Sequence, residues 1–312
     1  MVKKETLSYE SRSQAQKVHA VKWIPAGEIK AIIIIAHGMA EHIERYDAFA
    51  VYLAERGILV AGCDYIGHGK SVVGQEIYGY FCSRDAATVV VRDVHRLKKI
   101  IQADYPGLPM IIMGHSFGSF VARNYLCRYG SGVNGAILMA TGMPPKALAV
   151  ALRFLANMQA LFGGDKPGKF LNGLAFNGYN KRIKDAASPF SWLSVNKENV
   201  EKYEADPLCG FLFTVNGFQT LAELVYRIHN PKNLANVPAH LPVLMVAGQE
   251  DPVGDYGEGV KRAAKSLKKA GVRNVKLRLY PWGRHEILHE DEKEEVYQDI
   301  IEWLNEKLKW EG

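Results

Sequence analysis

The run Ala31-Ile32-Ile33-Ile34-Ile35-Ala36 constrains this chain more than any other feature, because six consecutive apolar residues leave no polar face. A strand with one wet face alternates, whereas an unbroken β-branched run is covered on both sides, as in a parallel sheet flanked by helices. Further strand-like segments occur at 58–63, 108–113, 135–140, 242–247 and 275–280. Between them lie helix-like stretches: an amphipathic one from His42 to Arg56, one near Asp85 to Tyr105 that repeats Val90, Val94, Leu97 and Ile101 on one side, and Val121 to Tyr129. The chain ends on Val296, Ile300, Leu304 and Leu308 at four-residue intervals. Parallel neighbours need crossover connections, so this alternation predicts an α/β fold with a mostly parallel central sheet and helices on both faces. Residues 5–24 alternate more like exposed antiparallel strands.

Between Thr141 and about Val237 the alternation lapses and the sequence becomes helix-rich, with Leu148, Leu152, Leu155, Met158 and Phe162 spaced along one stretch. Pro144-Pro145, Asn230-Pro231 and Val237-Pro238 punctuate its ends. We therefore expect a core of residues 1–141 and 236–312, with a helical cap, residues 142–235, inserted after the sixth strand.

Composition excludes several classes. The 39 basic and 33 acidic side chains give a net charge of +6 without a basic block, so nucleic-acid binding is not expected. This balance allows transient contact with an anionic membrane surface through the cap, although a solvated mixed surface is the better account of it. Cys63, Cys82, Cys127 and Cys209 show no paired spacing, and neither a signal core nor a run of membrane-spanning length is evident. A cytoplasmic location is the expectation, and the oligomeric state is left open.

Gly114-His115-Ser116-Phe117-Gly118 fits the G-x-S-x-G nucleophile elbow and sits where that motif must, between a buried strand and a helix. A serine hydroxyl is a weak nucleophile, so it needs a base and a group that orients the base. In this fold order an acid follows one late strand and a histidine the next; Asp251 and His285 stand there. Glu250 and Asp255 are rivals for the acid, and His289 for the base. The oxyanion of an acyl intermediate needs backbone N–H donors, which Phe117 and Met39 offer, while His37 reads as a structural loop histidine.

Two motifs compete. His285-Glu286-Ile287-Leu288-His289 fits the zinc pattern H-E-x-x-H, with Glu302 or Glu306 as a weak third ligand, but Pro281-Trp282-Gly283 signals a loop where that motif needs a helix. Gly67-His68-Gly69-Lys70-Ser71 ends like a phosphate loop, yet Asp64 occupies the position of its first glycine and would repel phosphate. No metal or organic cofactor is expected.

The chain resembles the α/β-hydrolase superfamily, and within it the monoacylglycerol lipase and lysophospholipase group, sometimes grouped with serine aminopeptidases. His37 to Tyr46 is similar to that group's HGxGEHxxRY segment, Asp64 to Ser71 to its DxxGHGxS turn, and Gly248 to Val253 and His285 to Glu290 to its acid and histidine loops. Ala40 departs from the usual glycine, and Ile66 stands where many members carry arginine. The resemblance implies a triad of Ser116, Asp251 and His285, oxyanion amides at Met39 and Phe117, and a small-molecule acyl ester as substrate: a monoacylglycerol, a lysophospholipid or a shorter ester. Apolar cap residues expected to bind it are Phe154, Leu155, Met158, Leu161, Phe162, Phe211, Phe213 and Phe218. An aminopeptidase or amidase with the same triad is the alternative, with Glu198, Glu201, Glu204 or Asp206 available to hold a substrate ammonium. A non-catalytic module on the same scaffold is the alternative of another class, opposed by the complete triad order.

Overall fold

The computed structural model describes residues 1–14, 16–74, 76–184 and 186–308. Strands β1 (Lys3–Glu10), β2 (Lys17–Ile24), β3 (Ala31–Ala36), β4 (Ile58–Cys63), β5 (Met110–His115), β6 (Gly135–Met139), β7 (Val243–Gly248) and β8 (Val275–Tyr280) form one sheet, ordered β1-β2-β4-β3-β5-β6-β7-β8. β1 pairs antiparallel with β2, and β2 antiparallel with β4. From β4 onward every pairing is parallel. The alternating opening segment thus becomes an antiparallel edge on an otherwise parallel sheet.

The isoleucine run explains itself in this sheet. Ile32 and Ile34 join the core on one face, and Ile33 and Ile35 join the core on the other. All four are buried, which contributes about 6–12 kcal/mol as an upper figure, and any placement at a sheet edge would forfeit much of it. Helices α1 (Asp47–Ala54), α2 (Ala86–Asp104) and α3 (Phe117–Tyr129) lie in the first half of the chain. α2 buries Val90, Val94, Leu97 and Ile101 beside α3, whereas α1 packs on the opposite face.

Among the described residues five α-helices intervene between β6 and β7: α4 (Lys146–Ala160), α5 (Lys169–Phe176), α6 (Lys197–Ala205), α7 (Val215–Arg227) and the short α8 (Pro231–Leu234). α4 packs mainly on α7, and α7 rests on α2 and α3, so this layer covers the carboxyl end of the sheet. α9 (Glu258–Lys269) then joins the face of α2 and α3, and α10 (Lys293–Leu308) joins that of α1. Among the described residues no helix is long and apolar enough to cross a membrane, and the four cysteines are unpaired.

Candidate active site

β5 runs into Ser116 and α3 begins at the next residue, four positions earlier than hydrophobic spacing alone suggests. Ser116 has φ 53° and ψ −119°, a left-handed conformation that a side chain adopts only when its surroundings impose it. Here they do. The Ser116 N–H donates to the Met139 carbonyl at 3.0 Å, and its own carbonyl accepts from the Ser119 N–H at 2.8 Å and the Ser119 hydroxyl at 2.6 Å. The two elbow glycines permit the approach: a Cβ on Gly118 would overlap the Ala36 carbonyl, and one on Gly114 would overlap the Gly118 carbonyl.

Asp251 follows β7 and His285 follows β8, which brings both to the sheet edge where Ser116 lies. His285 Nδ1 is 3.0 Å from Asp251 Oδ2. The distance is within hydrogen-bond reach, the angle falls short of a formed bond, and among the described residues neither atom has another partner. Asp251 is wholly buried, and its other carboxylate oxygen accepts from the Val253 N–H at 2.8 Å. The rivals are turned elsewhere. Glu250 is exposed, Asp255 pairs with Arg262 at 2.8 Å, and His289 Nε2 faces the Arg45 carbonyl at 3.0 Å.

Ser116, His285, Met39 and Phe117 all border one cavity of about 1120 Å³ beneath the cap. No side chain or carbonyl accepts the Met39 or Phe117 N–H among the described residues, so both remain available to an incoming oxygen. His37 is buried and bonded locally, through Nδ1 to the Gly38 carbonyl and Nε2 to the Tyr65 N–H. Burial pushes its pKa down, which keeps it neutral.

The cavity wall differs in part from the one expected. Phe211 and Phe218 border it, but Phe154, Met158, Leu161 and Phe162 are exposed on the outer side of the α4 segment. Leu155 packs against the core, and Phe213 is fully buried among Phe81, Phe117 and Phe218. The face of α4 that reaches the cavity carries Leu148, Ala149, Leu152 and Ala156 instead. Two of these are alanines, so a search for large apolar residues selects the wrong side. Trp192, Leu171 and Leu221 also border the cavity, and Trp192 lies 5.0 Å from the His285 ring; no periodicity marked them.

The competing motifs have other occupations. Residues 285–289 are not helical, and Glu286 pairs with Arg45 through contacts of 2.6 and 2.8 Å, so His285 and His289 do not share a helix face. Asp64 closes its own glycine turn by accepting from the Ile43 and Lys70 N–H groups, each at 2.8 Å. Of the cap carboxylates, Glu198, Glu201, Glu204 and Asp206 lie outside the cavity wall, and Asp206 bonds His42 at 2.8 Å.

The cap is also fastened to the loop that holds Met39. Ala40 has φ 51°, and its carbonyl accepts from the cap twice, from the Gly210 N–H and from the Tyr203 hydroxyl, each at 2.9 Å.

Known proteins resemble this chain along nearly its whole length. A family model described as serine aminopeptidase, S33 matches residues 27–292. The monoglyceride lipase of Mus musculus is 28% identical over 296 residues, covering 93% of this chain and 87% of its own length. The monoacylglycerol lipase of Mycolicibacterium smegmatis is 29% identical over 292 residues, covering 90% of each chain. Among solved structures, a thermostable carboxyl esterase from Bacillus coagulans in complex with glycerol superposes with a TM-score of 0.91 at 30% identity, covering 99% of this chain and 100% of that one. This chain belongs to the serine aminopeptidase S33 family of the α/β-hydrolase fold, and it is a serine carboxylester hydrolase.

Proposed function

We propose that this enzyme hydrolyses monoacylglycerols through an acyl-enzyme formed on Ser116. Asp251 orients His285, which takes the Ser116 proton as the hydroxyl oxygen attacks the ester carbonyl. The carbonyl oxygen gathers negative charge beside the Met39 and Phe117 N–H groups. Collapse expels the alcohol, protonated by His285, and a water activated by the same imidazole releases the fatty acid.

The observation that carries this reading is the cavity wall. It is apolar through most of its extent, and its carboxylates are committed: Glu41 and Glu286 to Arg45, Asp255 to Arg262. An aminopeptidase substrate brings an ammonium that needs a carboxylate partner, whereas an acyl chain needs only apolar surface. The related esterase's bound glycerol is the alcohol a monoacylglycerol releases, which supports the same reading. Exposed Phe154, Leu161, Phe162 and Phe170, carried on cap segments that also expose Lys146, Lys166 and Lys169, support transient docking of the cap on an anionic membrane, where such substrates reside.

Turnover of a monoacylglycerol series and of matched aminoacyl amides by the wild type and by Ser116→Ala tests the proposal. Ester turnover that vanishes in Ser116→Ala, with amides untouched by either protein, is expected. Ester turnover that survives the substitution would refute the mechanism, and amide preference would refute the substrate.

A further inference from the structure

A buried group of ionisable side chains joins three loops next to His285. Arg45 lies between two carboxylates, 2.7 Å from Glu41 Oε2 and 2.6 Å from Glu286 Oε1. Isolated charge is costly in such a place, so buried clusters tend toward neutrality. Two carboxylates and one guanidinium leave one negative charge uncancelled. The other ionisable groups in the cluster do not supply the balance: burial pushes His289 down, which leaves it neutral, and pushes the Tyr46 phenol well up.

His115 is the remaining neighbour. Its Nδ1 lies 3.3 Å from Glu41 Oε1, and its Nε2 lies 3.2 Å from the His285 carbonyl oxygen. A carboxylate and a carbonyl accept hydrogen bonds and donate none. A neutral imidazole has a single N–H, so one ring nitrogen would turn its lone pair toward another lone pair. Only the imidazolium satisfies both contacts, and it brings the cluster to zero charge.

We propose that His115 is held as an imidazolium and serves as a positioning residue for the hydrolysis, fixing the backbone of His285 and, through Glu41, the loop that carries Met39. The connection through Glu41 is direct, because its Oε1 also accepts from the Gly38 N–H and from the Tyr46 hydroxyl. The groups that face the His115 ring are Glu41 from the loop after β3, Tyr46 at 6.3 Å, and His285 at 4.9 Å with Glu286 from the loop after β8. Burial pulls the His115 pKa down, but the hydrogen bond and charge of Glu41 outweigh it and leave the pKa raised. The inference rests on the reading of His285 as the base.

The test has two arms. In the first, the ring nitrogens of His115 in the ¹⁵N-labelled full chain are followed by NMR from pH 6 to 9, a range chosen to bracket the ordinary imidazole pKa of about 6.5. Two protonated nitrogens at neutral pH are expected, and a bare nitrogen there would overturn the assignment whatever the activity. In the second, His115→Gln is assayed on a short soluble ester. Loss of the cation leaves a net negative cluster beside the base, so the acid limb of kcat/KM is expected to move upward by about one pH unit. Loosened loops are expected to lower kcat about tenfold with KM within about threefold. Glu41→Gln combined with His115→Gln removes one charge of each sign, and it is expected to return the limb toward its wild-type position. An unmoved limb in His115→Gln would refute the role. Failure of the triad reading shows separately, as ester turnover surviving Ser116→Ala.

Discussion

Replacing Arg45 with methionine is a severe test of how the site is held. The guanidinium is buried, with a side-chain exposure of 9%, and it joins Glu41, Glu286 and Asn199 while lying 4.9 Å from the Tyr203 ring. Methionine fills much of the volume but takes the cation from two buried carboxylates, leaving Glu286 with Asn199 as its side-chain donor and Glu41 with His115 and Tyr46. For Glu286, burial raises the pKa, but Arg45 outweighs it by charge and hydrogen bonding and holds it down at about 2 against an ordinary 4.5. A carboxyl depressed that far contributes about 3 kcal/mol at neutral pH, in line with the ~3–5 kcal/mol lost when one partner of a buried pair is removed. For a chain of 312 residues this corresponds to a Tm lower by about 5–8 °C. The pH dependence has a definite sign. A depressed carboxyl stabilises above its unfolded pKa and loses that contribution as pH falls toward the folded value, so the wild type weakens on acidification from about 4.5 toward 2. In Arg45→Met the stranded carboxyls protonate more readily, and the deficit is largest at pH 7 and shrinks toward about pH 4. Calorimetry across this range, with Arg45→Met/Glu286→Gln as partial rescue, measures it. A deficit below about 1 kcal/mol at neutral pH, or one indifferent to pH, would refute the reasoning.

Other outcomes follow from single contacts. Leu152→Trp adds bulk to the cavity wall, so kcat/KM for long-chain monoacylglycerols is expected to fall at least about tenfold while a butyrate ester changes less than about threefold; equal losses would place Leu152 away from the acyl chain. Gly118→Ala forces a methyl into the Ala36 carbonyl, and soluble expression or activity is expected to fall sharply, whereas wild-type turnover and Tm would show that β3 and α3 can separate. Burial raises the Asp93 pKa to about 6, despite bonds of 2.6 Å from the Ser11 hydroxyl and the Arg12 N–H. A raised carboxyl destabilises as pH climbs past its ordinary 3.8, so the stability of Asp93→Asn relative to wild type is expected to improve by up to about 3 kcal/mol between pH 4 and 7, and a constant Tm difference would contradict this.

The fold was legible in the sequence because parallel strands buried on both faces leave continuous apolar runs, as Ile32 to Ile35 do. The relation of Ser116, Asp251 and His285 was legible for a different reason: in this topology the carboxyl ends of β5, β7 and β8 open on the same edge of one sheet, with only β6 between β5 and β7, so chain order stands in for space. The cap wall was not legible. Its lining is set by which side of α4 turns inward, and α4 carries large apolar residues on its outer side as well. Arg45 was visible only as a letter in a resembling motif. Its partner Glu286 is 241 positions away, and no local pattern links them.

The two bonds from the cap to the Ala40 carbonyl would, under the proposed mechanism, connect substrate entry to chemistry. Alanine at φ 51° costs about 1–2 kcal/mol relative to an ordinary backbone conformation, and Gly210 and Tyr203 restrain the peptide that follows Ala40, one residue beyond Met39. Were the cap to lift to admit an acyl chain, that restraint would be released, and the Met39 N–H, the proposed oxyanion donor, would lose its fixed direction until the cap returned. Entry and turnover would then alternate, with the open state unable to catalyse. Tyr203→Phe, which removes one of the two bonds, would accordingly appear in kcat as much as in KM.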